Sequence, residues 1–489
     1  MAGIRKPQTG IFKKQKSKMK NKSNKLSKSL INNMKFQKVF SLLVIIGLQL
    51  SICFAGESQD FFQPKNMSLE MSVKPSVEQA VRWKTGTEVP KGVAQILIDN
   101  PSPDLKQNSK EIQAQSEVIT IYDTTFIFHR VVFSDLKPAT AYIYRVGDGT
   151  GKWSEWIQFK TASETSNPFS FLFFGDVQNG ITTHYPRVLR QAMLTAPKVS
   201  FLLYAGDIGN SAYMSEFQDF FSVGGWIHKQ KPLVAVPGNH EYRHIGAGED
   251  DRELTQEWKY MFGIPNNAEG ILNNRGCGYF DYQGVRFVMN NSRDLDDGED
   301  TLVNVQMAWL DKVLDAPEAK FIVVLQHYPI YPMGYGREKK TKHKVLEDLY
   351  TAHGVDLVLT GHDHIYSRLA PSVKRFSKTV APAYVLSMSG EKMYVPNFND
   401  NVDRMALNTQ FFQQVSIDGN ALIFKDYDAT GAYYDGFTIE KKNGKKRIVD
   451  NKPATPEFSE LPQSRKAKYK EAQWKEITDK HKQYFLNRK

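Results

Sequence analysis

The sequence predicts an all-β sandwich followed by a layered α/β domain, and three observations carry that prediction. Between residues 62 and 162, short apolar–polar alternations recur between turn signals with no helix-length pattern, which favours an antiparallel sandwich. From residue 169 onward, five continuous apolar runs each end in a glycine- or proline-marked turn, as strands buried on both faces do. Segments with 3.6-residue periodicity (185–196, 305–315, 344–354) lie between the runs. Strand, helix, strand in that order implies right-handed crossovers in a layered fold. At 489 residues the chain exceeds one ordinary domain, so two domains plus tails are expected.

The formal charge of +11 is concentrated at the two ends. Residues 1–55 hold twelve Lys and Arg and no acid, and residues 440–489 hold fifteen basic against seven acidic residues. What lies between is near −9, so the sequence carries no nucleic-acid-binding footprint. The run VFSLLVIIGLQLSICFA (39–55) follows Lys35 and Lys38 and ends in Cys53-Phe54-Ala55, a small-x-small cleavage pattern. It reads as a signal peptide, placing the protein as secreted, periplasmic or at the cell surface, with no stable membrane span in the mature chain. A start at Met34 gives a normal-length signal, which makes 1–33 an upstream extension or a long basic lead. A single membrane anchor is the competing reading, because about 17 apolar residues is the lower edge of a span. A lipid on Cys53 is disfavoured by bulky Ile52. After cleavage Cys277 alone remains, so no internal disulfide forms and it reads as a buried apolar residue.

Within 62–162 the strands are QAVRWKTG, VAQILIDN, VITIYD, FIFHRVVFSDL and AYIYRVGDG. LKPATAYIYRVG (136–147) resembles the tyrosine corner of fibronectin type III-like domains, with Tyr142 or Tyr144 tying the corner and Trp83 as the core tryptophan. This part is expected to be a scaffold rather than a binding module, and SETSNP (163–168) reads as a linker.

Within 169–440 the polar residues that end the apolar runs are the informative ones. FSFLFFGD ends on Asp176 and VSFLLYAGD on Asp207; PLVAVPGNH supplies Asn239 and His240; FIVVLQH supplies His327; VDLVLTGHDH supplies His362 and His364. In open α/β sheets ligands collect at the carboxyl ends of such strands. A lone Asp after a strand is most often a turn or cap, and a lone His most often a satisfied core residue. Asp176, Asp207, Asn239, His327, His362 and His364 together match what two divalent or trivalent metal ions need. Gly175, Gly206, Gly238 and Gly361 precede ligands and permit close backbone approach. The later runs AYVLSMSG, FFQQVSIDGNALIFKDYD and GFTIEKK are expected to complete a second sheet.

The ordered motifs GD…GD…GNHE…H…GHxH resemble the calcineurin-like metallophosphoesterases. The preceding fibronectin-like segment with YRVG resembles the purple acid phosphatases in particular, over roughly 64–440. The resemblance implies a two-sheet β sandwich flanked by helices, with a dinuclear site between the sheets' loops. One metal would take Asp176, Asp207 and His364, the other Asp207, Asn239, His327 and His362, with Asp207 bridging. It also implies hydrolysis of small phosphomonoesters by metal-held hydroxide, with His240 as general acid or phosphoryl contact. Two departures stand out. Asn210 occupies the place of the tyrosine that binds ferric iron, so a colourless protein is expected, and Asp176-Val177-Gln178 lacks the histidine of DxH relatives. Gln178 or Asn210 would supply a neutral oxygen or hold a water; Fe, Zn, Mn and Mg all stay open. His184, Tyr242, Arg243 and His244 are candidates for the substrate pocket, whereas Arg337 and REKKTKHK (337–344) read as solvated surface.

The Lys-rich tail 441–489 carries Trp474, Ile477, His481 and Phe485 at helical spacing, a narrow stripe suited to docking on the protein itself or on a membrane. Two other functions remain: a phosphodiesterase or nucleotide hydrolase of the same superfamily, and a degenerate surface-binding protein. Composition does not fix the oligomeric state.

Overall fold

The computed structural model describes residues 63–244, 252–265, 267–372, 375–377, 380–399, 401–486 and 488. The basic lead, the signal-peptide segment and Cys53 lie outside the described residues.

Residues Phe61–Lys489 form one compact unit. Strands Lys65–Glu70, Gln79–Thr85, Thr124–Phe133 and Gln115–Ile121 face a four-stranded sheet of Lys110–Gln113, Val93–Ile98, Ala141–Gly147 and Ile157–Lys160. Trp83, Phe133, Tyr144 and Phe159 are buried between them. Tyr142 ties the corner, its hydroxyl accepting from the Lys137 N–H at 2.8 Å. Tyr144 instead donates to the Lys229 carbonyl at 2.8 Å, fastening this layer to helix Met214–Gln230.

The sandwich sheet does not stop at the linker. Lys65–Glu70 pairs in parallel with Leu233–Ala235 through Glu70 opposite Leu233. One eleven-stranded sheet therefore continues through Leu202–Tyr204 and Phe169–Phe174 into Phe411–Asp418, Ala421–Asp428, Tyr433–Lys442 and Lys445–Asp450. A second, seven-stranded sheet is ordered Gly278–Tyr282, Val285–Asn290, Phe321–Gln326, Leu357–Thr360, Ala383–Leu386, Tyr366–Leu369 and Arg404–Ala406. Phe171, Phe173, Leu203 and Val234 of the first sheet pack with Phe287, Val323, Leu325 and Leu359 of the second.

Only one of the three late runs joins the second sheet as expected. Ala383–Leu386 does, while Phe411–Asp418, Ala421–Asp428 and Tyr433–Lys442 extend the first sheet, antiparallel from the open side of Phe169–Phe174. The reason is two-sided packing. Phe411, Val415 and Ile417 enter the inter-sheet core, while Phe412 joins the layer beneath helix Tyr185–Thr195.

Helices Tyr185–Thr195, Asp300–Leu314 and Thr341–Ala352 lie where the periodicity placed them. Met214–Gln230 gave no clear signal, because the Gly224-Gly225 pair interrupts its apolar stripe; Gly225 sits at φ 46° and kinks the helix. Helix Glu471–Leu486 buries Trp474, Ile477 and Tyr484 against the outer layer of the second sheet. His481 donates to the Ser459 carbonyl at 2.5 Å. Among the described residues no helix is long and apolar enough to cross a membrane.

Candidate metal centre

Both central sheets deliver their loops to one place. Phe169–Phe174 and Leu202–Tyr204 run into Asp176 and Asp207, while Phe321–Gln326 and Leu357–Thr360 run into His327 and the GHDH loop. Donor atoms of Asp176, Asp207 and His364 lie within 4.8 Å of one another, and so do those of Asp207, His327 and His362. Asp207 belongs to both groups. His327 Nδ1 donates to the Ala205 carbonyl at 2.7 Å, which turns Nε2 into the second group. There Nε2 is 3.2 Å from Asn239 Oδ1, 3.2 Å from His362 Nδ1 and 3.3 Å from Asp207 Oδ1.

The backbone is bent to achieve this. Asp176, Asp207, His362 and His364 have φ of 22°, 49°, 80° and 47°, a region that costs non-glycine residues about 1–3 kcal/mol each. Two glycines make room for the carboxylates. A Cβ on Gly361 would lie 2.2 Å from Asp176 Oδ2, and one on Gly238 would lie 2.2 Å from Asp207 Oδ1. Strain and close approach coincide at the donors, as expected where backbone shape serves a site.

The residues present fit metal ions. Asp176 Oδ1 and Gln178 Oε1 are buried without a hydrogen-bond partner, which is costly unless something else satisfies them. Carboxylate, amide and imidazole donors suit hard to borderline divalent and trivalent ions. Burial, helped by neighbouring cations, holds His362 and His364 well below the usual imidazole range, so both rings are neutral and ready to donate. His327 behaves otherwise: burial lowers it, but the Asp207 charge and hydrogen bond, then Asp176, push it up to about 9. Burial and Asp207 raise Asp176. Near neutral pH His327 holds a proton that an arriving cation displaces. Metal uptake at pH 7 is therefore expected to release about one proton from it, and affinity to rise with pH toward 9. Calorimetry in two buffers of different ionisation enthalpy checks this; a buffer-independent heat contradicts it.

The remaining sequence candidates divide. Gln178 is buried in the first group, its Nε2 2.9 Å from Asp207 Oδ2 and 3.2 Å from His364 Nε2. Asn210 contributes its backbone: its carbonyl accepts from His240 Nδ1 at 2.5 Å. His240 Nε2 then stands 4.0 Å from Asp207 Oδ2. His184 is half exposed and pairs with Glu391 at 2.6 Å, beside the Gly390 N–H that donates to the Asp176 carbonyl. Tyr242, Arg243 and His244 are turned elsewhere. The buried Tyr242 hydroxyl donates to Asp294 at 2.7 Å. Arg243 pairs with Glu257 and the Tyr122 hydroxyl. His244 accepts from Arg252 at 3.1 Å. Arg337, read as solvated surface, forms an ion pair with buried Asp363 instead.

Three residues of the site were missed. Glu241 accepts from the N–H groups of Asp207, Ile208 and Gly238 at 2.8, 2.9 and 2.7 Å, locking the GD loop to the GNHE turn. Asp363, between the two histidines, accepts from the Gly334 N–H at 2.9 Å and from Met333, pinning the loop after His327. Both lie inside the GNHE and GHDH motifs, but that these acids are buried shows only in the structure. Lys392, whose Nζ lies 3.4 Å from His240 Nε2, had no local signal at all.

Comparison with known proteins agrees with this architecture. A calcineurin-like phosphoesterase family model matches residues 169–366, so this segment is a calcineurin-like metallophosphoesterase domain. Within that superfamily the chain is purple-acid-phosphatase-like, because residues 64–161 match the purple acid phosphatase N-terminal domain. Acid phosphatase type 7 of Danio rerio is 28% identical over 279 residues, covering 50% of this chain and 58% of that protein. Fe(3+)-Zn(2+) purple acid phosphatase 12 of Arabidopsis thaliana is 22% identical over 370 residues, covering 69% and 76%. Purple acid phosphatase PPD1 from yellow lupin (Lupinus luteus) seeds shares the fold, with TM-score 0.65 and 18% identity over 78% of this chain and 75% of that one. The chain spans just over half the length of several curated relatives that it matches.

Proposed function

We propose that the protein is an exported phosphoesterase that hydrolyses phosphomonoesters at a dinuclear metal centre. The observation that carries this is the pair of donor groups sharing Asp207, with His240 fixed beside them. In this reading Asp176, Asp207, His364 and the Gln178 amide hold one ion. Asp207, Asn239, His327 and His362 hold the other. Two such ions polarise the phosphoryl oxygens and supply a nucleophile from water near neutral pH. The chain's own groups do the rest. Asn210 and Asp207 orient His240, whose protonated Nε2 donates to the leaving oxygen. Tyr204 and Tyr213, the tyrosines flanking the second GD motif, are committed elsewhere. The Tyr204 hydroxyl lies 2.8 Å from that of Tyr185, and the ring of half-exposed Tyr213 stands beside the Tyr122 ring and under the Arg243 guanidinium. This supports a colourless centre holding Zn, Mn, Mg or ferrous iron.

The test is hydrolysis of a chromogenic phosphomonoester by the secreted protein as purified, after chelation, and after return of single metals. Loss on chelation with recovery by one ion supports the reading; no turnover with any ion removes it. His240→Ala is expected to lose roughly 10²-fold or more in turnover on an alkyl phosphate, and less on an aryl phosphate, with metal content unchanged. Equal losses on both substrates would take the proton-donor role from His240.

A further inference from the structure

Tyr394 packs against His364 with its ring tilted by 51° and the centroids 4.6 Å apart, so it borders the first donor group. Three cations converge on its ring. Arg337 Cζ lies 5.3 Å from the centroid, Lys392 Nζ 5.4 Å and Arg465 Cζ 5.0 Å. Arg337 is neutralised by Asp363. Among the described residues, neither Lys392 nor Arg465 has a carboxylate within ion-pair distance. Arg465 is positioned by donating its Nε to the Met393 carbonyl at 2.5 Å. The charges balancing Lys392 come from Asp207 and Asp176, which the proposed function assigns to metal ions. With those carboxylates engaged, two cations remain uncompensated on partly buried ground beside a centre that is itself positive. Like charges held this close repel unless an anion joins them. One of them, Lys392, stands 3.4 Å from His240, where the proposed function puts the leaving group.

We propose that Lys392 and Arg465, backed by Arg337 and Tyr394, form a second anion subsite that takes another phosphate group of the substrate. Preferred substrates then carry at least two phosphoryl groups, one at the metals and one between these cations. The inference rests on the proposed phosphoesterase reading. Arg465 lies in the short helical turn Gln463–Lys468, in the tail that helix Glu471–Leu486 docks onto the second sheet. Both Lys392 and Arg465 lie outside the segments matched to either family model. The subsite is thus built from the C-terminal third of the chain.

Calorimetry on the metal-loaded protein tests it with two non-hydrolysable probes, methylenediphosphonate and methylphosphonate. The wild type is expected to bind the bisphosphonate about tenfold or more tightly, the scale of added charge-assisted hydrogen bonds. Arg465→Gln is expected to bring that ratio to within about threefold, and Arg465→Lys to keep most of it. A wild-type ratio near one overturns the subsite, as does a ratio that survives Arg465→Gln. Equal weakening of both probes in Arg465→Gln and Arg465→Lys makes Arg465 structural, which also overturns it. The two readings fail separately. An Arg465-dependent ratio without ester turnover removes the catalytic proposal alone, and turnover with a ratio near one removes the subsite alone.

Discussion

Asp207→Ala is expected to bind neither ion tightly and to lose phosphoesterase turnover by a factor on the order of 10³ or more, because several kcal/mol of charge stabilisation leaves with the ions. The expectation follows from its place in both donor groups and from what else it holds. Its Oδ1 accepts from the His240 N–H at 3.0 Å, and its Oδ2 from Gln178 at 2.9 Å. Metal analysis per chain decides the matter, and a variant that retains two ions refutes the bridging role. The metal-free protein gives a second readout. His327 is raised from the usual 6.5 to about 9 because the Asp207 partner outweighs burial. A raised folded pKa stabilises fully below the unfolded value and is lost as pH rises through the folded one. The wild-type apo chain should therefore lose stability between about pH 6.5 and 9, and Asp207→Ala should flatten that slope.

Glu241→Ala should unfold the metal-free protein more easily by on the order of 3 kcal/mol, without touching any donor atom. One fully buried carboxylate satisfies the N–H groups of Asp207, Ile208, Gly209 and Gly238. Removing it strands several buried donors at about 1–3 kcal/mol each, partly relieved by entering water. Both loops it joins carry metal donors, so affinity for both ions should fall together. Glu241→Gln keeps one acceptor oxygen and should cost less. Urea unfolding and metal titration measure the two effects. A Glu241→Ala protein within 1 kcal/mol of wild type, with normal metal affinity, would contradict the clamp.

The five loop motifs were legible because each is local: an apolar run, a glycine, a polar donor. What lay two or three residues beyond was not. Asn239–Glu241 is a single tight helical turn, so its side chains diverge, Asn239 into the donor group, His240 between the Asn210 carbonyl and Asp207, and Glu241 back into the protein. Tyr242–His244 then pairs with Arg252–Leu254 and faces other partners, which sequence adjacency to His240 could not reveal. Lys392 and Arg465 reach the site from distant segments and carry no motif. The late strands misled for a related reason: alternation announces a strand but not which of two sheets has an open side for it.

The single register pair of Glu70 with Leu233 has a consequence for how the molecule is made. Leu233–Ala235 is a short, wholly buried strand whose far side would be an unpaired edge but for Lys65–Glu70. Bare apolar edges invite a second copy to pair with them. The module synthesised first thus serves the later one as an edge guard, present before the strand it must shield emerges. Severed from it, the catalytic portion would carry intact metal loops on a surface primed for self-association.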